Sequence, residues 1–307
     1  VAKRISIETS HPQWLVERWI ELFGPDETLR ICQLNNTPAP VTVRINRTKT
    51  TPEEAIALLL DQGVTAKPST VSPDGLEIER GSVQKTDLIE RGYLSLQDES
   101  SMLVARALGA QTSDYVLDSC AAPGGKAMHI AEGLTTGTLQ ALDLHPHKIK
   151  LIDQQAMRLG LTTVKAEALD ARKAGERFEA ESFDRILVDA PCSGLGVIRR
   201  KPDIKWTKRP EQLEQLPKIQ RDILTSVLPL VKKGGTFVYS TCTIDPVENE
   251  EQTAFILSQG FDFDASFATR MPESVRHLIG DRAELKLLPT TVGTDGFYIA
   301  AFKKRED

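Results

Sequence analysis

From about Gln97 onward the chain alternates strand-like and helix-like segments, and this alternation limits the folds open to it more than any other feature. Residues 115–118 read as a strand, and a helical pattern follows Gly125. The next strand is 139–143, after which Ile149, Ile152, Ala156 and Leu159 recur at helical spacing. Strands follow near Val164 and at 185–189. A long helical stretch spans 210–232, with a break or kink expected at Pro217. Residues 236–240 form another strand, 247–257 another helix, and 285–288 with 297–302 a closing pair. Alternation of this kind predicts an α/β fold: a mostly parallel sheet with helices on both faces and ligands at the carboxyl ends of the strands.

Residues 1–92 follow a different pattern. Ser10 and Pro12 precede an apolar helical stripe of Trp14, Leu15, Trp19, Ile20 and Phe23, which Gly24 and Pro25 end. Residues 41–46 alternate like a strand. Thr51, Pro52 and Glu54 together open a helix, as cap, first helical residue and capping-box acid, and Gly63 closes it. The expected division is a small α+β module at 1–92 and the larger α/β domain at 93–307. The longest apolar run, 55–60, is far short of the ~20 residues that cross a bilayer, and no signal-peptide pattern opens the chain. A cytoplasmic location is expected. The four cysteines, Cys32, Cys120, Cys192 and Cys242, are too few and too scattered for a disulfide framework, and no C-x-x-C spacing suggests a metal.

The segment 117–126 joins a strand to a helix through Cys120-Ala121-Ala122-Pro123-Gly124-Gly125-Lys126. Its glycines let a ligand approach the backbone. It is neither Gly-x-Gly-x-x-Gly nor a Walker loop, which disfavours a dinucleotide or a triphosphate. Asp143 ends the next strand, where an acid can accept hydrogen bonds from ribose hydroxyls, and Asp170, after the third, could reach an adenine amino group. The pattern describes a pocket for an adenosine-bearing ligand with a small polar tail; the alternative is that Asp118 and Asp143 merely cap helices. Cys120 reads as pocket wall and Cys32 as a small buried hydrophobe. Cys192 and Cys242 each follow a strand and precede a turn, so both belong at one edge of the sheet, as two equivalent thiols suited to covalent chemistry. The net charge of −5 argues against wholesale nucleic-acid binding. Six basic residues nevertheless cluster at 199–209 around Trp206, against one acid, Asp203. That cluster is either a solvated loop or a phosphate-holding rim, with Trp206 there for stacking or for packing.

Asp-Ala-Pro-Cys-Ser-Gly at 189–194, Ser-Thr-Cys-Thr at 240–243 and Ala-Ala-Pro-Gly-Gly-Lys at 121–126 resemble the S-adenosylmethionine-dependent RNA cytosine-C5 methyltransferases. Val-Ile-Arg-Arg-Lys-Pro-Asp-Ile-Lys-Trp at 197–206, Asp-Gly-Phe-Tyr at 295–298, Val-Arg-Ile-Asn at 43–46 and Leu-Gln-Asp-Glu-Ser-Ser at 96–101 extend the resemblance to the RsmB (Fmu or Sun) branch, which modifies 16S rRNA at cytosine 967. An N6-adenine or N4-cytosine enzyme would carry an Asn/Asp-Pro-Pro-aromatic tetrad where Asp-Ala-Pro-Cys stands.

The resemblance implies a Rossmann-like class I methyltransferase with a mostly parallel seven-stranded sheet behind the small module. It makes Cys242 the nucleophile toward cytosine C6 and gives Cys192 a part in product release. Asp189 recognises the N3/N4 edge of the base, and Lys126 is a candidate cation for ionising the thiol. S-adenosylmethionine falls to residues 120–126, Asp143, Asp170 and Asp189. The 1–92 module is the candidate RNA-binding part, and Arg44, Asn46, Arg199, Arg200, Lys201, Lys205 and Trp206 are the candidates for holding RNA, with 16S rRNA as partner and a monomer as default. Competing readings are another rRNA or tRNA cytosine, and a non-catalytic RNA-binding assembly protein. The branch begins with a helical NusB-like domain. It is not expected in these residues, which start at Val1: a truncated piece, a processed fragment or a short homologue all fit.

Overall fold

The computed structural model describes all 307 residues. Three helices lead: α1 (Ala2–Thr9), α2 (Gln13–Phe23) and α3 (Pro25–Asn35). Gly24, at φ +80°, lets the chain turn sharply between the last two, and Pro25 opens α3 at its first position. A small antiparallel sheet follows, built from β1 (Thr42–Ile45), β2 (Thr65–Pro68), β3 (Gly75–Arg80) and β4 (Leu94–Leu96) in the order β2-β3-β1-β4. Helix α4 (Pro52–Asp61) packs on it through Ala55 and Leu59, against Val43, Ile45, Leu76 and Leu94. The capping box at its start is formed as expected: Glu54 N donates to Thr51 Oγ1 at 3.3 Å, and Thr51 N to Glu54 Oε2 at 3.2 Å.

Two boundaries differ from the sequence reading. The small sheet continues past residue 92, because Leu94 in β4 pairs with Ile45. The leading helices do not pack on that sheet. Leu15, Trp19, Ile31 and Cys32 share a core with Leu195, Ile198, Leu213 and Ile244 of the larger domain. An amphipathic stripe shows that a helix has an apolar face, not which surface covers it.

The large sheet holds β5 (Tyr115–Asp118), β6 (Thr138–Asp143), β7 (Val164–Ala168), β8 (Phe183–Asp189), β9 (Val231–Thr241), β10 (Phe261–Phe263), β11 (Glu284–Leu287) and β12 (Phe297–Lys304). The order β7-β6-β5-β8-β9-β12-β10 gives the seven strands expected, and β11 adds an eighth alongside β12. Strands β5 to β9 are parallel and β12 is antiparallel to β9. The parallel strands are near-continuous apolar runs because both faces are covered. Val116, Leu139, Leu187 and Val238 face one core; Leu117, Leu142, Ile186 and Phe237 face the other. Helices α5 (Glu99–Leu108), α6 (Gly125–Ala131) and α7 (Pro146–Leu159) cover the first. The helix Pro210–Val227 runs through Pro217 without ending, and β9 begins at Val231, so the expected helix to 232 is shorter. No helix is long and apolar enough to cross a membrane.

Strand order reverses at β5, which lies between β6 and β8. The carboxyl ends of β5, β6, β8 and β9 therefore open onto one crevice.

The seam between the two sheets corrects one expectation. Side chains alternate along β1, so Val43 and Ile45 fill the small core while Arg44 and Asn46 point the other way. Arg44 is 1% exposed, ion-paired with Glu132 after α6 and donating from Nε to Gln97 Oε1 at 2.7 Å. Asn46 Nδ2 donates to the carbonyls of Gly92 at 2.9 Å and Leu159 at 3.2 Å. Neither side chain is available to an RNA backbone; both join the modules. Replacing Glu132 with alanine leaves the Arg44 guanidinium buried without its counter-charge, which costs about 3–5 kcal/mol of stability, read from urea unfolding.

Candidate active site

The loop after β5 is threaded between neighbouring strands. Ser119 N donates to Leu187 O at 3.1 Å and Ala121 N to Leu142 O at 2.8 Å. The Ala122-Pro123 peptide bond is cis, and Gly124 sits at φ +113°, a conformation that a side chain would strain. A cavity of about 480 Å³ opens beyond this loop. Cys120, Asp143, Asp170, Asp189, Cys192 and Cys242 all line it. A larger cavity of about 630 Å³, between α2 and the helix Pro210–Val227, contains none of the expected site residues. The smaller one is therefore the candidate site, and its size suits a small ligand.

Its cofactor end is acidic. Asp143 is buried at the end of β6 and accepts from His145 N through Oδ1 at 3.1 Å. Asp118 Oδ2 is buried and takes no hydrogen bond. Burial, and then the nearby charge of Asp189, push the Asp118 carboxyl up to about 7. Acids at strand ends, one with an unmet acceptor, suit a ligand with hydroxyl donors and positive charge, which is the chemistry of S-adenosylmethionine: ribose, ammonium and sulfonium. Asp170 is placed differently from its neighbours. It caps the turn 171–173 through Arg172 N, and the Arg172 guanidinium, at 2.8 Å from Oδ2, holds its carboxyl below the ordinary value.

The two thiols meet. Cys192 Sγ and Cys242 Sγ are 3.4 Å apart, because β8 and β9 are adjacent and end in register at Asp189 and Ser240. They are not equivalent. The hydrogen bond from Cys192 holds the Cys242 thiol below its ordinary value against the opposing effect of burial, and Lys126 and Lys201 help. The same bond, and burial, hold Cys192 well above. Both directions favour Cys242 as the thiol that gives up its proton first, with Cys192 keeping its own. Lys126 Nζ lies 2.7 Å from Asp189 Oδ2, and Ser240 Oγ donates to Asp189 Oδ1 at 2.8 Å. Burial lowers the Lys126 ammonium, but Asp189 outweighs it and keeps it charged. Iodoacetamide should alkylate Cys242 before Cys192, with a midpoint below the usual thiol pH of ~8.5. In Cys192→Ala that midpoint rises, since the donor to the thiolate is gone; peptide mass spectrometry across pH reads both.

Distant motifs interlock around the thiols. Gly196 N donates to Cys242 O at 2.9 Å, and Gly296 N to Gly196 O at 2.8 Å. A methyl group at Gly196 would fall on the Gly296 carbonyl, so the close approach requires glycine. Arg200 donates to Asp98 and Asp295, at 2.8 Å each, and to Pro40 O at 2.9 Å. Arg199 Nη2 donates to Pro38 O at 2.7 Å, and Lys205 is buried with Nζ 3.3 Å from Asn36 Oδ1. These three basic residues tie the 197–209 segment to the N-terminal part. Arg200 and Lys205 are occupied by the protein, which corrects their assignment to RNA. Lys201 and Trp206 stand exposed.

Sequence reasoning missed Glu248 and Asn249. Asn249 accepts from Thr241 Oγ1 at 2.5 Å and donates to Thr243 O at 3.0 Å, bracing the turn that carries Cys242. Glu248 is 1% exposed among Ser193, Gln220 and Tyr239. Both lie in an acidic run, 248–251, that reads as the solvated start of a helix; its position just after the second thiol was the one available signal.

The description 16S rRNA methyltransferase RsmB/F matches residues 105–303, and an RsmF/B-like ferredoxin-like domain matches residues 11–84. The chain is 48% identical over 306 residues to a probable ribosomal RNA small subunit methyltransferase B of Bacillus subtilis, covering 99% of this chain and 68% of that protein. The crystal structure of PH0851 superposes with a TM-score of 0.89 at 28% identity, over 99% of this chain and 68% of that one. NSun6 from Pyrococcus horikoshii, solved with SFG, shares the fold with a TM-score of 0.83 at 23% identity, over 95% of this chain and 97% of that one. The chain belongs to the 16S rRNA methyltransferase RsmB/F family, whose methyl donor is S-adenosylmethionine.

Proposed function

We propose that this chain methylates C5 of a cytosine in 16S rRNA, at the cytosine-967 site, through a covalent adduct between Cys242 and C6 of the base. The observation that carries this reading is the thiol pair, 3.4 Å apart in the same cavity as the acidic cofactor end. C5 of cytosine is a poor nucleophile. Addition of the Cys242 thiolate to C6 moves the C5=C6 electron pair onto C5, which bonds to the methyl carbon as that carbon's bond to the donor sulfur breaks and its pair stays on sulfur. S-adenosylmethionine supplies the electrophilic methyl group. Loss of the C5 proton to water or a base returns its electron pair to C5=C6, the C6–S pair leaves on the Cys242 sulfur, and Cys192 assists that release.

Asp189, fixed by Lys126 and Ser240, faces the N3/N4 edge of the base and stabilises its protonated form. Lys126 serves two groups: it orients Asp189 and favours the Cys242 thiolate. Cys120, Ala121, Ala122, Pro123, Gly124 and Gly125 would wall the cofactor, and Asp143 would accept from its ribose. Asp170 would reach the adenine amino group only by sharing its carboxylate with Arg172. The target base must leave its stack to enter the cavity, with exposed Lys201 and Trp206 on its path.

Mapping 5-methylcytosine on small-subunit rRNA from cells with and without the gene tests the substrate. One mark, at cytosine 967, should vanish. Loss of a mark on a tRNA or at another rRNA cytosine, with this one intact, contradicts the assignment.

A further inference from the structure

We propose that Glu248 is a positioning residue, holding the turn that carries Cys192 so that its thiol faces Cys242. Its carboxylate accepts from the residue after Cys192 twice: Ser193 N at 2.8 Å through Oε1 and Ser193 Oγ at 2.6 Å through Oε2. Gln220 Nε2 donates to the same Oε1 at 3.1 Å and to Pro191 O, the residue before Cys192, at 3.0 Å. Ser193 is thereby tied to Glu248 directly and Pro191 through Gln220. The acid is also anchored to the Cys242 side. Tyr239, on β9, donates through its hydroxyl to Glu248 O at 2.6 Å, and Ser193 Oγ lies 2.8 Å from Thr243 Oγ1, next to Cys242.

A buried carboxylate is costly, and this one is raised above its ordinary value by that burial. Its hydrogen bonds converge on the backbone and hydroxyl around one thiol rather than on a helix end or a domain seam. Glutamine can reproduce them. Its oxygen accepts from Ser193 N and Gln220, its amide donates to Ser193 Oγ, and that hydroxyl turns its proton to Thr243. Alanine cannot, and leaves a buried N–H unpaired.

The inference rests on the reading that Cys192 acts in release of the Cys242–RNA adduct. The test measures adduct formation and adduct release separately, with RNA and S-adenosylmethionine, for the full chain and for Cys192→Ala, Glu248→Ala, Glu248→Gln and the double variant carrying both alanines. Rates are normalised to the fraction of protein that binds cofactor. Glu248→Ala should slow release at least about tenfold and slow formation no more than Cys192→Ala does, while Glu248→Gln stays within about threefold of wild type. In the double variant, Glu248→Ala should add nothing to the slowing caused by Cys192→Ala, because it acts through that thiol. Equal loss of formation and release in Glu248→Ala, or a full further slowing in the double variant, makes Glu248 a merely structural residue and overturns the proposal. If Cys192→Ala itself traps no adduct, the underlying reading fails and the proposal with it. Should Glu248→Ala not fold, Ser193→Ala removes only the hydroxyl bonds. It should slow release severalfold, again without adding to Cys192→Ala; normal release in Ser193→Ala overturns the proposal.

Discussion

Cys242→Ala should abolish methyl transfer, by at least about 10⁴-fold, while S-adenosylmethionine binds within about threefold of wild type. The two effects separate because the acids that suit the cofactor end other strands than the one that carries Cys242. Asp118 and Asp143 belong to β5 and β6, whereas Cys242 follows β9. The side chain is small, only partly buried, and its backbone carbonyl, which accepts from Gly196, is unaffected by the change. Radiolabelled methyl transfer to rRNA reads the first effect and calorimetric titration the second. Residual transfer within about tenfold of wild type would mean that addition to C6 does not depend on this thiol.

Cys192→Ala should have a different outcome, namely accumulation of a covalent protein–RNA species that survives denaturing gels. Wild-type protein should show little of it, because release keeps pace with formation. The geometry supports the asymmetry. Cys192 lies 3.4 Å from Cys242, and that contact and burial raise its thiol, so it is poorly suited to attack and well placed to assist departure. Removing it also raises the Cys242 thiol, so adduct forms more slowly near neutral pH and faster as pH rises. If the trapped species appears instead with Cys242→Ala, the two roles are reversed.

The catalytic sheet was legible because its strands are buried on both faces. Runs such as Ile186-Leu187-Val188 and Phe237-Val238-Tyr239 carry the parallel-strand pattern in their composition. The glycine loop and both thiols were legible for the same reason, since each follows such a run. Spacing could place Cys192 and Cys242 at one edge of the sheet. It could not bring them to 3.4 Å, because that depends on β8 and β9 being neighbours, and strand order is set by crossovers that sequence spacing does not encode. Without the contact nothing distinguished the two thiols except family resemblance.

The RNA-binding residues show the opposite failure. Arg44 on β1 and Arg200 after Cys192 are charged and lie in distinctive motifs, which reads as a surface for phosphates. Both are paired with acids far away in sequence, Glu132 for one and Asp98 with Asp295 for the other. A buried ion pair and a solvated charge look alike until the partner is known. Glu248 was hidden in the same way, as one acid among several. The eighth strand, β11, is four residues long at the sheet edge, where the apolar pattern is weakest.

Tandem mass spectrometry of the nuclease- and protease-digested adduct trapped by Cys192→Ala tests the central claim most directly. The account expects the nucleotide on the peptide containing Cys242, and expects that cytosine to carry the transferred methyl group, since release and not transfer is what the substitution blocks. Attachment to any other residue, or an adduct whose cytosine is unmethylated, would contradict it.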